Sequence, residues 1–397
     1  MRGVVPPRAL LFVLALAISA CVPAGRRNSP WRIAPTVADT ITTETIAPGV
    51  RLHRLVQNSA PWRAFVLDVD LSACVSIRSV KGDSVALGRR TTSALLGSLN
   101  PRYNPVAAVN ADFFLFAPPG IPVGAHVEAG RLVSGPVARP VFGMLKSGAP
   151  WIGVLTVRVT MSTPRGTTVM TSWNRPTRAV AGLVDGAWGA PLDTTITRPV
   201  WRLVPIIKGS DRYVAAMLDS TASRVARGDT VFVVELPVSQ GEAPLRTGDT
   251  VAIARNMTPE SVEHTVGGFP LLLRDSAITD GVETASNAAF RGVNPRTAVG
   301  VGANGRRVLI AVIDGRQARY SAGMTLRETA TLLRDLGARE GINLDGGGSS
   351  AMVFWNARAE RQQLQVVNKP SDAVGERPVA NALAIVRGCG KSQVAPR

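Results

Sequence analysis

From Arg296 to Trp355 the sequence dictates an order of elements that few architectures can hold. RTAVGV and RVLIAVID run apolar, as buried strands do, and Asn304-Gly305 between them is a hairpin turn signal. Thr325 with Glu328 forms a capping box ahead of a helix. Leu326, Ala330, Leu333 and Leu336 follow at helical spacing, and Gly337 ends the helix. GINLD is the next strand. Strand, helix and strand in succession predict a βαβ-like unit. Were its two strands parallel neighbours, Asp314 and Asp345 would both lie at their C-terminal ends, where open α/β sheets bind ligands.

Elsewhere the signals are mainly β. RLHRLVQ and WRAFVLDVDLS read as strands, PVAAVNADFFLF as a buried strand ending near Asn110 or Asp112, and TTSALLGSLN as a short helix. Residues 140 to 255 are short strands punctuated by Gly, Pro and Asp, with similar Gly-Asp turns at 227–231 and 247–251. Gly300-Val-Gly-Ala-Asn-Gly305 matches a dinucleotide fingerprint, but such a loop must open a helix and this one opens a strand. The expected fold is α+β: a mixed, β-rich sheet core with a few packed helices.

The chain is 45% hydrophobic and 18% charged, so a real core is expected. Its net charge of +17 favours anionic partners, but the basic residues are scattered without runs. That pattern reads more simply as an Arg-rich surface than as a nucleic-acid footprint, and no nucleic-acid partner is expected.

Residues Ala9 to Ala20 form an apolar run too short to span a bilayer, and Ile18-Ser19-Ala20-Cys21 resembles a bacterial lipobox. The reading is an exported, membrane-anchored lipoprotein of the bacterial cell envelope, lipidated at Cys21; an ordinary signal peptide is the alternative. Residues 1–21 would be the signal peptide and 22–48 a tether. Cys74 and Cys389 then remain, an even number in a disulfide-permissive compartment, so they are expected to pair.

The chemistry has to come from acids, amides, arginines and backbone. Only three histidines exist, far apart in sequence, and the zinc, serine-hydrolase and P-loop motifs are absent. In Asp345-Gly346-Gly347-Gly348-Ser349-Ser350, glycines would let backbone N–H groups approach an anion, while the acid moves protons and the serines hold oxygens. A plain turn and a calcium loop are the alternatives, so a divalent cation such as calcium stays open as a cofactor.

GINLDGGGSSAMV resembles the signature of the phosphodiester glycosidase family. Asn110-Ala-Asp-Phe-Phe114, Gly267-Gly-Phe-Pro-Leu-Leu272, Asn294-Pro-Arg-Thr-Ala-Val-Gly300 and Asp314-Gly-Arg-Gln317 resemble further blocks of that family in the same order, with Asp112 standing where Gly is usual. The resemblance covers roughly 100 to 387. It implies a phosphodiester glycosidase-like domain at 105–390, after the β-rich segment that the strand signals give at 49–104, and a hydrolase that cleaves the glycosidic bond of a sugar-1-phosphodiester with an N-acetylglucosamine-like sugar.

On that basis Asp345 and Asp314 are the expected catalytic pair, with Glu328 in reserve. Arg296 is expected to grip phosphate in two-point fashion. Asn110, Asp112, Gly268, Thr297, Asn343, Gly346, Gly347, Gly348, Ser349 and Ser350 are expected to contact substrate. The alternatives are a non-catalytic envelope protein that binds anionic glycopolymer, and a metal-dependent phosphodiesterase.

Overall fold

A computed structural model describes residues 37–82, 85–99, 103–117, 119–135, 137–175, 181–188, 200–217, 232–235, 245–284, 290–356 and 363–388. Cys21 and Cys389 lie outside the described residues.

The strand Arg296–Gly302 runs down the middle of an eight-stranded sheet. On one side it pairs with Arg307–Ile313, then Trp62–Asp70, Val50–Gln57 and Thr40–Ala47. On the other it pairs with Ala338–Asn343, then Leu271–Arg274 and Ala277–Ile278. Every neighbouring pair is antiparallel. The strands before and after the helix are therefore parallel to each other, but they are not neighbours, because Arg296–Gly302 lies between them. The correction leaves one consequence intact. Both strands still finish at the same end of the sheet, and Arg296, at the start of the antiparallel strand, is at that end too.

The helix is Leu326–Asp335, with both hydrogen bonds of the Thr325–Glu328 capping box formed. Gly337 follows with φ +96°. Its apolar face packs on the sheet where Gly300 leaves no room for a side chain: a Cβ there would stand 2.7 Å from Ala338 Cβ. Asn304-Gly305 turns the hairpin, with Gly305 at φ +61°.

A five-stranded antiparallel sheet lies against the first, in the order Gln363–Val366, Met352–Asn356, Pro105–Asn110, Ala382–Arg387, Val75–Val80. Val106, Val109, Met352, Leu383 and Ile77 from it share one core with Leu67, Val299, Ile310 and Ile342 from the other. Residues 49–104 thus supply strands to both sheets, and 34–397 forms one compact unit with no boundary near 104. Two more sheets, of five and eight strands, share a second core containing Trp173, Trp201, Leu203 and Ile253. The fold is β-rich, with three short α-helices among the described residues, as expected.

Cys74 is disulfide-bonded. Its carbonyl accepts the Gly388 N–H at 2.6 Å. Cys389 is next in sequence, so non-reducing peptide mapping is expected to recover a Cys74–Cys389 linked peptide; recovery of Cys389 as an alkylatable thiol would refute the pairing.

Candidate active site

Asp345 leaves the strand Ala338–Asn343 where the two central sheets meet. Its N–H donates to the Ala111 carbonyl at 2.8 Å, and its own carbonyl accepts Asn110 Nδ2 at 2.6 Å. The first sheet is thereby stitched to the end of Pro105–Asn110. Asn110 is fully buried and its Oδ1 accepts the Thr297 hydroxyl at 2.7 Å and the Ala351 N–H at 3.1 Å. Thr297 also reaches Ser350 Oγ at 3.4 Å. Asn110, Thr297 and Ser350 are thus a brace behind the glycine turn rather than its lining.

The turn opens onto a cavity of about 270 Å³ lined by Phe113, Phe114, Phe116, Phe290, Arg296, Arg316, Asn343, Asp345, Gly346, Gly347, Gly348 and Arg377. Of the expected site residues, Arg296, Asn343, Asp345 and the three glycines come together here. The glycines serve chiefly to let neighbours approach the chain. Gly346 backs on the Pro295 carbonyl, where a Cβ would fall at 2.7 Å. Gly347 sits at φ +62° with the Arg316 guanidinium against it, and its N–H is spent on the Pro295 carbonyl at 2.9 Å. A Cβ on Gly348 would collide with Arg377 and Asp372. Gly268 stands outside the lining and admits the Asn343 carbonyl, which a Cβ would meet at 2.6 Å.

Three guanidiniums face this cavity in one pose. Arg296, 2% exposed, gives Nε to the Met324 carbonyl and Nη2 to those of Phe290 and Gly292, at 2.8 to 3.0 Å. Arg316 gives Nε and Nη2 to Asn294 Oδ1, at 3.2 and 3.0 Å. Arg377 gives Nε and Nη2 to the Asp372 carboxylate, at 2.8 and 3.0 Å. In each the Nη1 tip has no hydrogen-bonding partner among the described residues. The two-point grip expected of Arg296 is thus already committed to carbonyls, and what remains is one Nη1 from each of three arginines. Burial, and then the charge of Arg316, pull Arg296 down to about 10, which leaves it charged at neutral pH. The other lining is aromatic: Phe290 meets Phe113 and Phe269 edge to face, with centroids 5.5 Å apart in each pair. Asn343 donates Nδ2 to the Phe269 carbonyl at 2.7 Å, while its buried Oδ1 has no partner.

Asp345 is half-buried on the cavity floor. Burial pushes its carboxyl up to about 6, moderated by the Ser349 hydroxyl, the charge of Arg377 and the Gly346 N–H. The Ser349 hydroxyl has no partner of normal hydrogen-bond geometry, so its influence there is a close approach rather than a formed bond.

Asp314 is not part of the lining. Its carboxylate accepts Asn368 Nδ2 at 2.9 Å, the Lys369 N–H at 3.0 and 3.1 Å and the Tyr320 hydroxyl at 3.2 Å. Burial raises its pKa against those donors. It fastens the segment after the last expected serine to the central sheet. Glu328 is exposed and occupied as the helix cap.

The second carboxyl near Asp345 is Asp112, 1% exposed, whose Oδ2 accepts the Gly124 and Gly267 N–H groups at 3.0 Å each. Both glycines are needed, because a Cβ on either would stand within 2.9 Å of that oxygen. Burial pushes Asp112 up to about 7; the two N–H groups and Arg175 oppose this, and the negative charge of Asp345 adds to it. Lys81 lies behind, its ammonium held by the carbonyls of Gly88, Gly120 and Ala380 at 2.9 Å each, and burial pulls it down to about 7. Among the described residues no group of three or more His, Cys, Asp or Glu side chains is placed to hold a metal ion.

A sequence profile of the family described as phosphodiester glycosidase matches residues 220–386. No curated protein matches the chain. Among solved structures, a Synechocystis protein superposes with a TM-score of 0.69 at 20% identity over 88% of this chain, which spans 64% of that protein. A Burkholderia pseudomallei K96243 protein, named as an exported one, superposes with a TM-score of 0.63 at 25% identity, over 82% of this chain and 74% of that one. The catalytic domain of zebrafish N-acetylglucosamine-1-phosphodiester alpha-N-acetylglucosaminidase gives a TM-score of 0.47 at 15% identity, over 89% of this chain and 94% of that one.

Proposed function

We propose, from the phosphodiester glycosidase match over residues 220–386, that this chain is an exported hydrolase that breaks the bond between the anomeric carbon and oxygen of a sugar-1-phosphodiester. The products are free sugar and a phosphomonoester. An N-acetylglucosamine-like sugar follows from the family resemblance. The observation that carries the reading is the cavity itself, lined by three arginines, an aromatic wall and one carboxyl residue.

The division of labour follows from the chemistry. A phosphodiester is an anion, and the three Nη1 groups of Arg296, Arg316 and Arg377 supply charge-assisted donors for it. The sugar ring takes the phenylalanine wall, and the unpaired Asn343 Oδ1 accepts one of its hydroxyls. Ionised Asp345 then faces the positive charge that grows at the anomeric carbon in an oxocarbenium-like transition state. The phosphoryl leaving group is a weak base, so it departs with the bonding electron pair and little need of a proton, while a water oxygen bonds to the anomeric carbon and gives up its proton to leave the free sugar. Asp112 acts on Asp345 through charge alone, its Oδ2 being held by the Gly124 and Gly267 N–H groups. A screen of sugar-1-phosphodiesters for released reducing sugar tests the reading; binding without release would favour the glycopolymer-binding alternative.

The two carboxyls make a pH prediction. Activity rises through about pH 6 as Asp345 ionises. Above about pH 7 Asp112 ionises as well, and a second negative charge beside the cavity repels an anionic substrate, raising KM. Asp112→Asn is expected to abolish that alkaline rise in KM and to leave the acidic limb in place. The same groups affect stability with a definite sign. Their folded pKa values are raised, so the folded state binds the extra protons, and their contribution to stability falls as pH rises from about 4 to about 7. Asp112→Asn should flatten the melting temperature over that window; an unchanged slope and an unchanged KM profile would count against this role.

A further inference from the structure

The hairpin formed by Val200–Pro205 and Arg212–Met217, at the second eight-stranded sheet, carries apolar residues on its outer face and apex as well as its inner face. Its inner face is ordinary: Trp201, Leu203, Tyr213 and Ala215 are buried in the second core. Its outer face pairs Val204 with Val214, 42% and 37% exposed. The apex is stranger. Ser210 N–H closes a tight turn on the Ile207 carbonyl at 3.0 Å, and Ile206 N–H bonds the Arg212 carbonyl at 3.0 Å. Turns of this kind favour Gly, Asn, Asp and Ser, and here Gly209 takes φ +84°. Yet the residues that enter the turn are Ile206 and Ile207, 50% and 71% exposed. Lys208 and Arg212 are exposed on the same apex, with Asp211 the one acid between them.

We propose that this apex is a membrane-docking element that seats on an anionic phospholipid surface. The pinned turn holds two isoleucines out as a wedge. The bases beside them are placed to meet lipid phosphates while the isoleucines enter the acyl boundary. A polar glycopolymer would use the bases but leave the isoleucines unexplained. The overall charge of +17 supplies the long-range attraction to an anionic bilayer that the local pair needs. The docking is independent of what the cavity hydrolyses, and it places the chain at a lipid surface without using its N-terminus.

The test is co-sedimentation of the mature chain from residue 22, without the signal segment and its lipidated cysteine, with phosphatidylglycerol or phosphatidylcholine vesicles. Binding to the anionic vesicles is expected, weakening with salt and falling about tenfold or more in Ile206→Ser/Ile207→Ser. Lys208→Glu/Arg212→Glu, which leaves the apolar apex untouched, should also lose it. Equal binding to phosphatidylcholine, or undiminished binding in both variants, would overturn the proposal. So would a dimer on gel filtration that the isoleucine variant dissociates without any vesicle binding, because the face would then belong to a second copy of this chain.

Discussion

Asp345→Asn is expected to reduce turnover of a sugar-1-phosphodiester by about 10²–10⁴-fold while the protein stays folded. The side chain keeps its shape, and the neighbours it would disturb are few: the Gly346 N–H and the Ser349 hydroxyl, both of which tolerate an amide oxygen. What disappears is the negative charge at the only carboxyl that lines the cavity among the described residues. The effect should fall on kcat more than on KM, because the charge opposes a transition state and repels an anionic ground state. Steady-state kinetics with a melting curve decide it, and near wild-type kcat in a folded variant would remove Asp345 from the reaction.

Arg316→Ala and Arg377→Ala together are expected to lower kcat/KM by about 10²–10⁴-fold, since a hydrogen bond to a charged group is worth about 1.5–3 kcal/mol and each arginine offers one free tip. Each single variant should cost about 10–100-fold. The two are chosen over Arg296, whose Nε and Nη2 hold three carbonyls, so that its loss would disturb the wall as well as the ligand. Arg377→Ala also strands Asp372, and Asp372→Ala is the control that separates a lost donor from a stranded acid. Kinetics of the singles and the double measure both; additive losses below threefold each would mean that the arginines do not touch the substrate.

The strand–helix–strand segment was legible because its signals are local. Asn304-Gly305, the capping box and Gly337 act on residues a few positions away, and each appears where the sequence puts it. The sheet order was not legible, because pairing Arg296–Gly302 between the other two strands is a long-range choice that no turn residue encodes. The same distinction runs through the site. Asp345, Arg296 and Asn343 sit at ends of adjacent strands and could be found from spacing. Asp314 looked equivalent to Asp345, but Asn368 and Lys369, far along the chain, claim its oxygens. Arg377 reaches the cavity from a stretch with no motif of its own, and Phe290 carried no signal that separated it from an ordinary core residue. Asp112 was visible only as a departure from a family pattern. Its burial between two glycines, Gly124 and Gly267, needed the fold to be seen.

Hydrolysis of a sugar-1-phosphodiester in oxygen-18 water tests the central claim most directly. On the proposed reading Arg296, Arg316 and Arg377 take the phosphoryl group and Asp345 faces the sugar, so the carbon–oxygen bond should break. Mass spectrometry should therefore find the label at the anomeric hydroxyl of the released sugar and none in the phosphomonoester. Label in the phosphate would mean attack at phosphorus, and would contradict the account.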